Sequence, residues 1–138
     1  MNRLLIQLFA VLALPTAVNS SHLNNQKELI VTSESTKESI EFAKFLSDNG
    51  VVKYSAYWCP NCLNQAELFG KQAYQELNVV ECARDGKNSQ TQLCIDKNIQ
   101  GFPSWEINGK IILGVQTLNE LSKLTGYKNL GSSKKIVN

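Results

Sequence analysis

The 138-residue chain is 43% hydrophobic and carries a formal charge of +2. That length suits one domain with a core of its own, and the composition excludes an intrinsically disordered chain. The near-neutral charge, with no basic cluster beyond Lys134-Lys135, argues against a nucleic-acid partner.

Arg3 precedes an apolar run, 4–14 (LLIQLFAVLAL), which Pro15 ends. This reads as an export signal over residues 1–20. Eleven residues make about 16 Å of helix, half of a bilayer core, which disfavours a full span. Cleavage is expected after Ser20, with Val18 and Ser20 at the small-side-chain positions, or else after Ala17. A buried N-terminal helix and an uncleaved membrane anchor are the alternatives. No Cys follows the run, so no lipid anchor is indicated. The lone His22 stands in a polar leader, 21–34, as a bystander. A short extended piece is expected at Leu29–Thr32.

Ser35 and Glu38 have the spacing of a capping box. They are expected to open a helix to about Asp48, with Ile40, Phe42, Ala43, Phe45 and Leu46 as its apolar stripe. Asn49-Gly50 ends it. Residues 51–56 (VVKYSA) read as a buried strand, 57–61 as a loop, and a single helix is expected from about Cys62 to Leu77. Val79–Cys82 reads as a second strand, 83–90 as a loop and 90–97 as a short helix. Residues 104–107 (SWEI) and 110–113 (KIIL) flank Asn108-Gly109, the strongest short hairpin signal, because both turn residues need positive φ. Thr117 and Glu120 form another capping box, opening a last helix to about Thr125. The domain is expected over 35–127, with a loose tail over 128–138. A strand–helix–strand unit followed by a hairpin and a closing helix predicts an α/β domain with a small mixed β-sheet flanked by helices.

Four Cys in a domain of this size are not a disulfide scaffold and are read pair by pair. Trp58-Cys59-Pro60-Asn61-Cys62 sits where a buried strand gives way to a helix. Free N–H groups and the macrodipole at a helix N-terminus favour an anion, so a thiolate there is stabilised. Cys59 is expected as the exposed nucleophile. Cys62, one turn on and buried, is expected to resolve the mixed disulfide. Pro60 suits the first helical position, where its missing N–H costs nothing. Tyr57 and Trp58 would shield the pair and offer a flat apolar surface to a substrate chain. A zinc site needs a second close pair or nearby His, and an inert bridge gains little from closing so short a loop; both remain as alternatives. No metal and no cofactor are expected.

Cys82 and Cys94 are expected as a structural disulfide clipping the loop between them. A second redox pair, two free thiols or zinc are the other readings. Lys53 lies six residues before Cys59 inside an apolar strand. It either tunes the thiolate electrostatically or snorkels to solvent.

Three stretches carry a family likeness: YSAYWCPNCLNQAELFGKQA (54–73), VVECARDGKNSQTQLC (79–94) and IQGFPSWEINGKIILGVQTLNELSKLTGY (99–127). Together they resemble the thioredoxin-like domain fused to vitamin K epoxide reductase (VKOR) homologues in cyanobacteria and chloroplasts. The resemblance covers about residues 36–127, the second Cys pair included. It implies a thioredoxin fold and the thiol–disulfide exchange of an enzyme, with Cys59 and Cys62 as the exchanging pair and Cys82 and Cys94 as the additional one. It also implies that Pro103 is a cis-proline facing the CxxC loop and that Phe102 pairs with the substrate backbone. An ordinary loop proline is the alternative.

The implied activity is disulfide formation in exported proteins with Cys thiols, in the periplasm or the thylakoid lumen. The implied partner is a VKOR-type membrane oxidoreductase. No four-helix membrane domain is read in this sequence, so that partner is expected as a separate protein, and membrane contact only through it or an uncleaved signal. Asn61 stands where the strongest oxidants carry His. A reductase or isomerase kept reduced by a membrane donor is the alternative enzyme, and a copper-handling carrier is the alternative from another class.

Overall fold

A computed structural model describes residues 27–131. The expected signal peptide, His22, the leader up to residue 26 and the tail from 132 lie outside those residues.

The elements run α1 (Lys37–Asp48), β1 (Val52–Ser55), α2 (Pro60–Phe69), α3 (Lys71–Glu76), β2 (Asn78–Glu81), α4 (Thr91–Asp96), β3 (Ser104–Ile107), β4 (Lys110–Leu113) and α5 (Leu118–Thr125). The sheet order is β2-β1-β3-β4. β1 pairs parallel with β2 and antiparallel with β3, and β3 pairs antiparallel with β4. This is the mixed sheet flanked by helices of a thioredoxin fold. Asn108 and Gly109 both take positive φ, 51° and 74°, and close the β3–β4 hairpin as their sequence demands. The Thr117–Glu120 capping box forms in full.

Side chains alternate across a strand, so β1 serves two cores. Lys53 and Ser55 face the helical side. There Phe42, Ala43 and Leu46 of α1 pack with Phe69, Ala73, Trp105, Ile107 and Leu121. Tyr54 faces the other side, with Val80 and the bridged Cys82 and Cys94. Leu93, Ile99 and Phe102 pack against that smaller cluster, so α4 and its flanking loop cover this face. The two Cys lie 12 positions apart with Cα atoms 5.9 Å from each other. A double Cys82→Ser/Cys94→Ser variant should lose about 3 kcal/mol of stability on the loop-entropy model, read as a shift in the urea midpoint.

Two sequence expectations are corrected. The first helix is capped by Thr36, not Ser35: the Thr36 hydroxyl accepts from Ser39 N at 3.1 Å. Ser35 is engaged elsewhere, its hydroxyl accepting from Ala73 N and its own N–H donating to Gln72. The single helix expected over 62–77 begins at Pro60 and breaks at Gly70 into α2 and α3. Gly70 has φ 82° and ψ 166°, a region essentially closed to other residues. Before α1, Lys27 bridges to Gly86, and the N–H groups of Thr32 and Ser33 donate to the Glu67 carboxylate.

A Cβ at residue 70 would lie 2.6 Å from the backbone of Glu34 and Ser35. Gly70→Ala should therefore cost about 3 kcal/mol. Protection of the Lys71 amide, which donates to Ser33 O, should fall with it in hydrogen exchange.

Candidate active site

The end of β1 delivers the chain into α2 through Cys59. Cys59 is the N-cap with extended backbone, and Pro60 follows at the helix start. The Cys59 carbonyl accepts from Cys62 N and Leu63 N at 3.0 and 3.2 Å. The first turn thus sets Cys62 directly behind Cys59, and both thiols are free.

The sequence expectation of an exposed Cys59 is corrected by its surroundings. It is 8% exposed and Cys62 is 0% exposed. Ala56 and Ala83 complete this small cluster, with Leu29, Tyr57 and Phe102 packed against it. The Cys59 thiol donates to the Phe102 carbonyl at 3.6 Å. The Phe102–Pro103 bond is cis, and Pro103 is fully buried. Trp58 is 59% exposed and meets Phe102 edge-on, ring centroids 6.2 Å apart. Trp58 is thus an outward apolar ledge beside the sulfur rather than its cover. Tyr57 is tied down instead, its hydroxyl donating to Asp85 at 2.9 Å.

Beneath the pair lies Lys53, 0% exposed. The snorkelling alternative is therefore overturned. Its ammonium donates to Ser55 Oγ at 3.1 Å and to Tyr74 OH at 3.3 Å, and sits 4.9 Å from the Tyr74 ring centroid. Burial pulls Lys53 from 10.5 down to about 8, against the opposing pull of Cys62, Cys59 and Glu81. Burial pushes the Cys62 thiol up, while the Ser55 hydroxyl, the Ala56 backbone and the Lys53 ammonium draw it back. Burial also raises the Glu81 carboxyl, whose Oε1 accepts from Ala83 N at 2.8 Å and Tyr57 N at 3.3 Å. Lys53 and Cys62 are each destabilised in their charged form by the same dry surroundings.

The structure brings Cys59, Cys62, Trp58, Phe102, Pro103 and Lys53 to one place. Cys82 and Cys94 stand on the opposite face of the sheet, with Phe102 packed against both their cluster and that of Cys59. Sequence reasoning missed Ser55, Tyr74, Glu81 and Gln65. Strand alternation carried the signal for Ser55, two residues from Lys53 on the same face. Nothing local marked Gln65, which is fully buried. Its carboxamide oxygen accepts from Trp105 Nε1 and Gln116 N, and its amide donates to Gln116 O. It ties α2 to the segment before α5. Among the described residues, no group of three or more His, Cys, Asp or Glu is placed to hold a metal ion.

No family model matches the chain. Over 100 residues, 70% of its length, it is 43% identical to the Arabidopsis thaliana protein named thiol-disulfide oxidoreductase LTO1. By sequence the chain is a relative of a thiol–disulfide oxidoreductase. It spans 27% of that relative's length. Among the described residues, no helix is long and apolar enough to cross a membrane. In a relative of such an oxidoreductase, two free thiols one helical turn apart at a helix start, with one sulfur against an outward apolar ledge, have the layout that thiol–disulfide exchange needs.

Proposed function

We propose that this chain is an exported thiol–disulfide oxidoreductase that forms disulfides in exported proteins, in the periplasm or the thylakoid lumen. A membrane oxidoreductase of the vitamin K epoxide reductase type re-oxidises it. The observation that carries the reading is the placement of Cys59. It caps α2, has Cys62 behind it, and its sulfur meets the carbonyl of Phe102.

In the oxidised protein the Cys59–Cys62 bond is the oxidant. A substrate thiolate attacks Cys59 Sγ; the Cys59–Cys62 bond breaks and Cys62 leaves as a thiolate that takes up a proton. A second substrate thiolate then attacks the substrate sulfur of the mixed disulfide. The new bond joins the two substrate sulfurs, and Cys59 departs as a thiolate. The chain gains two electrons, which the membrane partner removes. Trp58 and Phe102 hold the incoming chain, with Pro103 setting the Phe102 carbonyl. Lys53 favours the thiolate form of Cys62 through its charge. Cys82–Cys94 serves as a structural clip.

The test is the reduction potential of the Cys59–Cys62 pair after equilibration with glutathione buffers, with Cys82 and Cys94 followed separately. A value of about −120 to −180 mV, the range of strong oxidants and isomerases, is expected. A value near about −270 mV, as in thioredoxin, would turn the reading to a reductase.

A further inference from the structure

Gln65 stands on α2 one turn after Cys62 and is fully buried. A buried carboxamide costs free energy unless its polar atoms are bonded. Its oxygen accepts from Gln116 N at 2.7 Å and from Trp105 Nε1 at 3.3 Å, and its amide donates to Gln116 O at 2.9 Å. The side chain thus pairs with both main-chain groups of Gln116, as a neighbouring strand would. Two residues earlier in the chain, Gly114 N donates to Pro103 O at 2.8 Å. Pro103 follows Phe102, whose carbonyl accepts from the Cys59 thiol at 3.6 Å. These links close a circuit. It runs from Cys59 to Phe102, through Pro103 to Gly114, along the chain to Gln116, across to Gln65, and back down α2 to Cys62 and Cys59. Apart from the thiol itself, Gln65 supplies the side-chain link in that circuit; the rest is main chain.

We propose that Gln65 is a positioning residue for the exchange reaction: it clamps the turn at 114–116 to α2 and so holds the Phe102 segment at the spacing from Cys59 that an extended substrate chain needs. This rests on the reading of Cys59 and Cys62 as the exchanging pair, with Phe102 beside the substrate backbone. The seat for that chain has two walls. One is the head of α2, which carries the sulfurs. The other is the Phe102–Pro103 segment, which Gly114 ties to the turn before α5. While Cys59 carries its proton, the bond from its thiol to Phe102 O joins the walls directly. In the oxidised protein, the form that meets a substrate thiolate, Cys59 has no proton to donate. Beyond the pairing of β1 with β3, the Gln65 clamp then sets the register of the two walls. The hydrogen bonds of Gln65 reach neither sulfur. It therefore governs how well a substrate chain is seated and leaves the intrinsic reactivity of the Cys59–Cys62 bond alone.

The test uses the full chain with Cys59–Cys62 oxidised and Cys82–Cys94 intact. Two reductants are compared: an unstructured peptide with two Cys, and dithiothreitol, which is too small to span the seat. Rates against peptide concentration give a half-saturation concentration and a limiting rate. Gln65→Met should raise the half-saturation about tenfold, the worth of about one net hydrogen bond. The limiting rate should hold, which is the signature of lost binding alone, and the dithiothreitol rate should stay at that of the wild type. A protonated Glu offers the same acceptor with one donor, and burial favours that neutral form. Gln65→Glu should therefore match the wild type at pH 5 and behave as Gln65→Met at pH 9, each compared with the wild type at the same pH. A merely structural glutamine would lower the urea midpoint and leave the half-saturation unmoved. An unchanged half-saturation in Gln65→Met would overturn the clamp, as would one in Gln65→Glu at pH 9 if Gln65→Met does not fold. Slowing of dithiothreitol by the same factor as the peptide would overturn it too, since that marks a general loosening of the site. A wild-type chain that oxidises neither reductant would sink the exchange reading itself, and is told apart from a failed clamp by that control.

Discussion

Cys62→Ala should turn the protein into a trap that holds disulfide-bearing chains, the products of its forward reaction, covalently. Cys59 at the head of α2 keeps its sulfur at the Phe102 carbonyl and the Trp58 ledge. It can still form a mixed disulfide with an incoming oxidised chain. The sulfur that would release that chain is gone. Well-oriented intramolecular reactions reach effective molarities on the order of 10⁵ M, so a millimolar external thiol is a poor replacement. Non-reducing gels should show adducts that vanish on reduction, and turnover in an insulin or refolding assay should fall to that of the no-enzyme control. Cys59→Ser should also abolish turnover but give no adducts. Adducts with Cys59→Ser and none with Cys62→Ala would reverse the two roles.

Lys53→Met should make the protein more stable and less active. The folded chain holds the Lys53 proton only up to about 8, against 10.5 without burial. That difference corresponds to about 3 kcal/mol of penalty on the charged form. Between those two values the unfolded chain binds more protons than the folded one, so stability rises with pH there. Below about 8 the penalty is fully present. Met fills a similar volume without a charge, at the loss of the hydrogen bonds to Ser55 and Tyr74. A net gain of about 2 kcal/mol at pH 7 follows, shrinking toward nil as the pH approaches 10 and wild-type Lys53 becomes neutral. Urea unfolding of both proteins at the two pH values reads this directly. A variant less stable than wild type at pH 7 would show that the buried ammonium stabilises the fold. A group that weakens the fold while it serves the chemistry is a usual sign of a site held for function.

Much of this architecture is legible in the sequence where one local rule acts alone. Asn108-Gly109 has a single good solution, a tight turn with both φ positive, and the hairpin follows with its expected bounds. Thr117 and Glu120 have no competitor for their cap. The reactive motif is legible because Pro60 and the preceding apolar strand fix where α2 starts. Legibility fails where tertiary contacts choose among local options. Ser35 and Thr36 are both good caps; the choice falls to Thr36 because α3 recruits the Ser35 hydroxyl through Ala73 N. Gly70 sits in a pattern that reads as continuous helix, and the close approach of Glu34 and Ser35 is invisible until the chain folds back. The depth of Lys53 depends on α3 closing over β1. A strand pattern gives the face of a residue but not the height of what covers it. Tyr74 and Gln65 join the site and its support across gaps of 21 and 40 residues, which no spacing rule reaches.

The clasp at the start of the described chain has a further consequence. Lys27 is bridged to Gly86, lies 3.2 Å from Asp85 and sits over the Tyr57 ring, one residue from the exposed Trp58. Thr32 and Ser33 are pinned to Glu67 on α2. Lys27 is therefore held beside Tyr57, two positions before Cys59, rather than at a remote end of the domain. A redox module attached upstream by a short flexible connection would meet Cys59 at an effective concentration in the millimolar range. Re-oxidation by such a module would then outpace encounters with the same module free in solution, and the length of the leash, rather than any shared surface, would set the rate of electron hand-over.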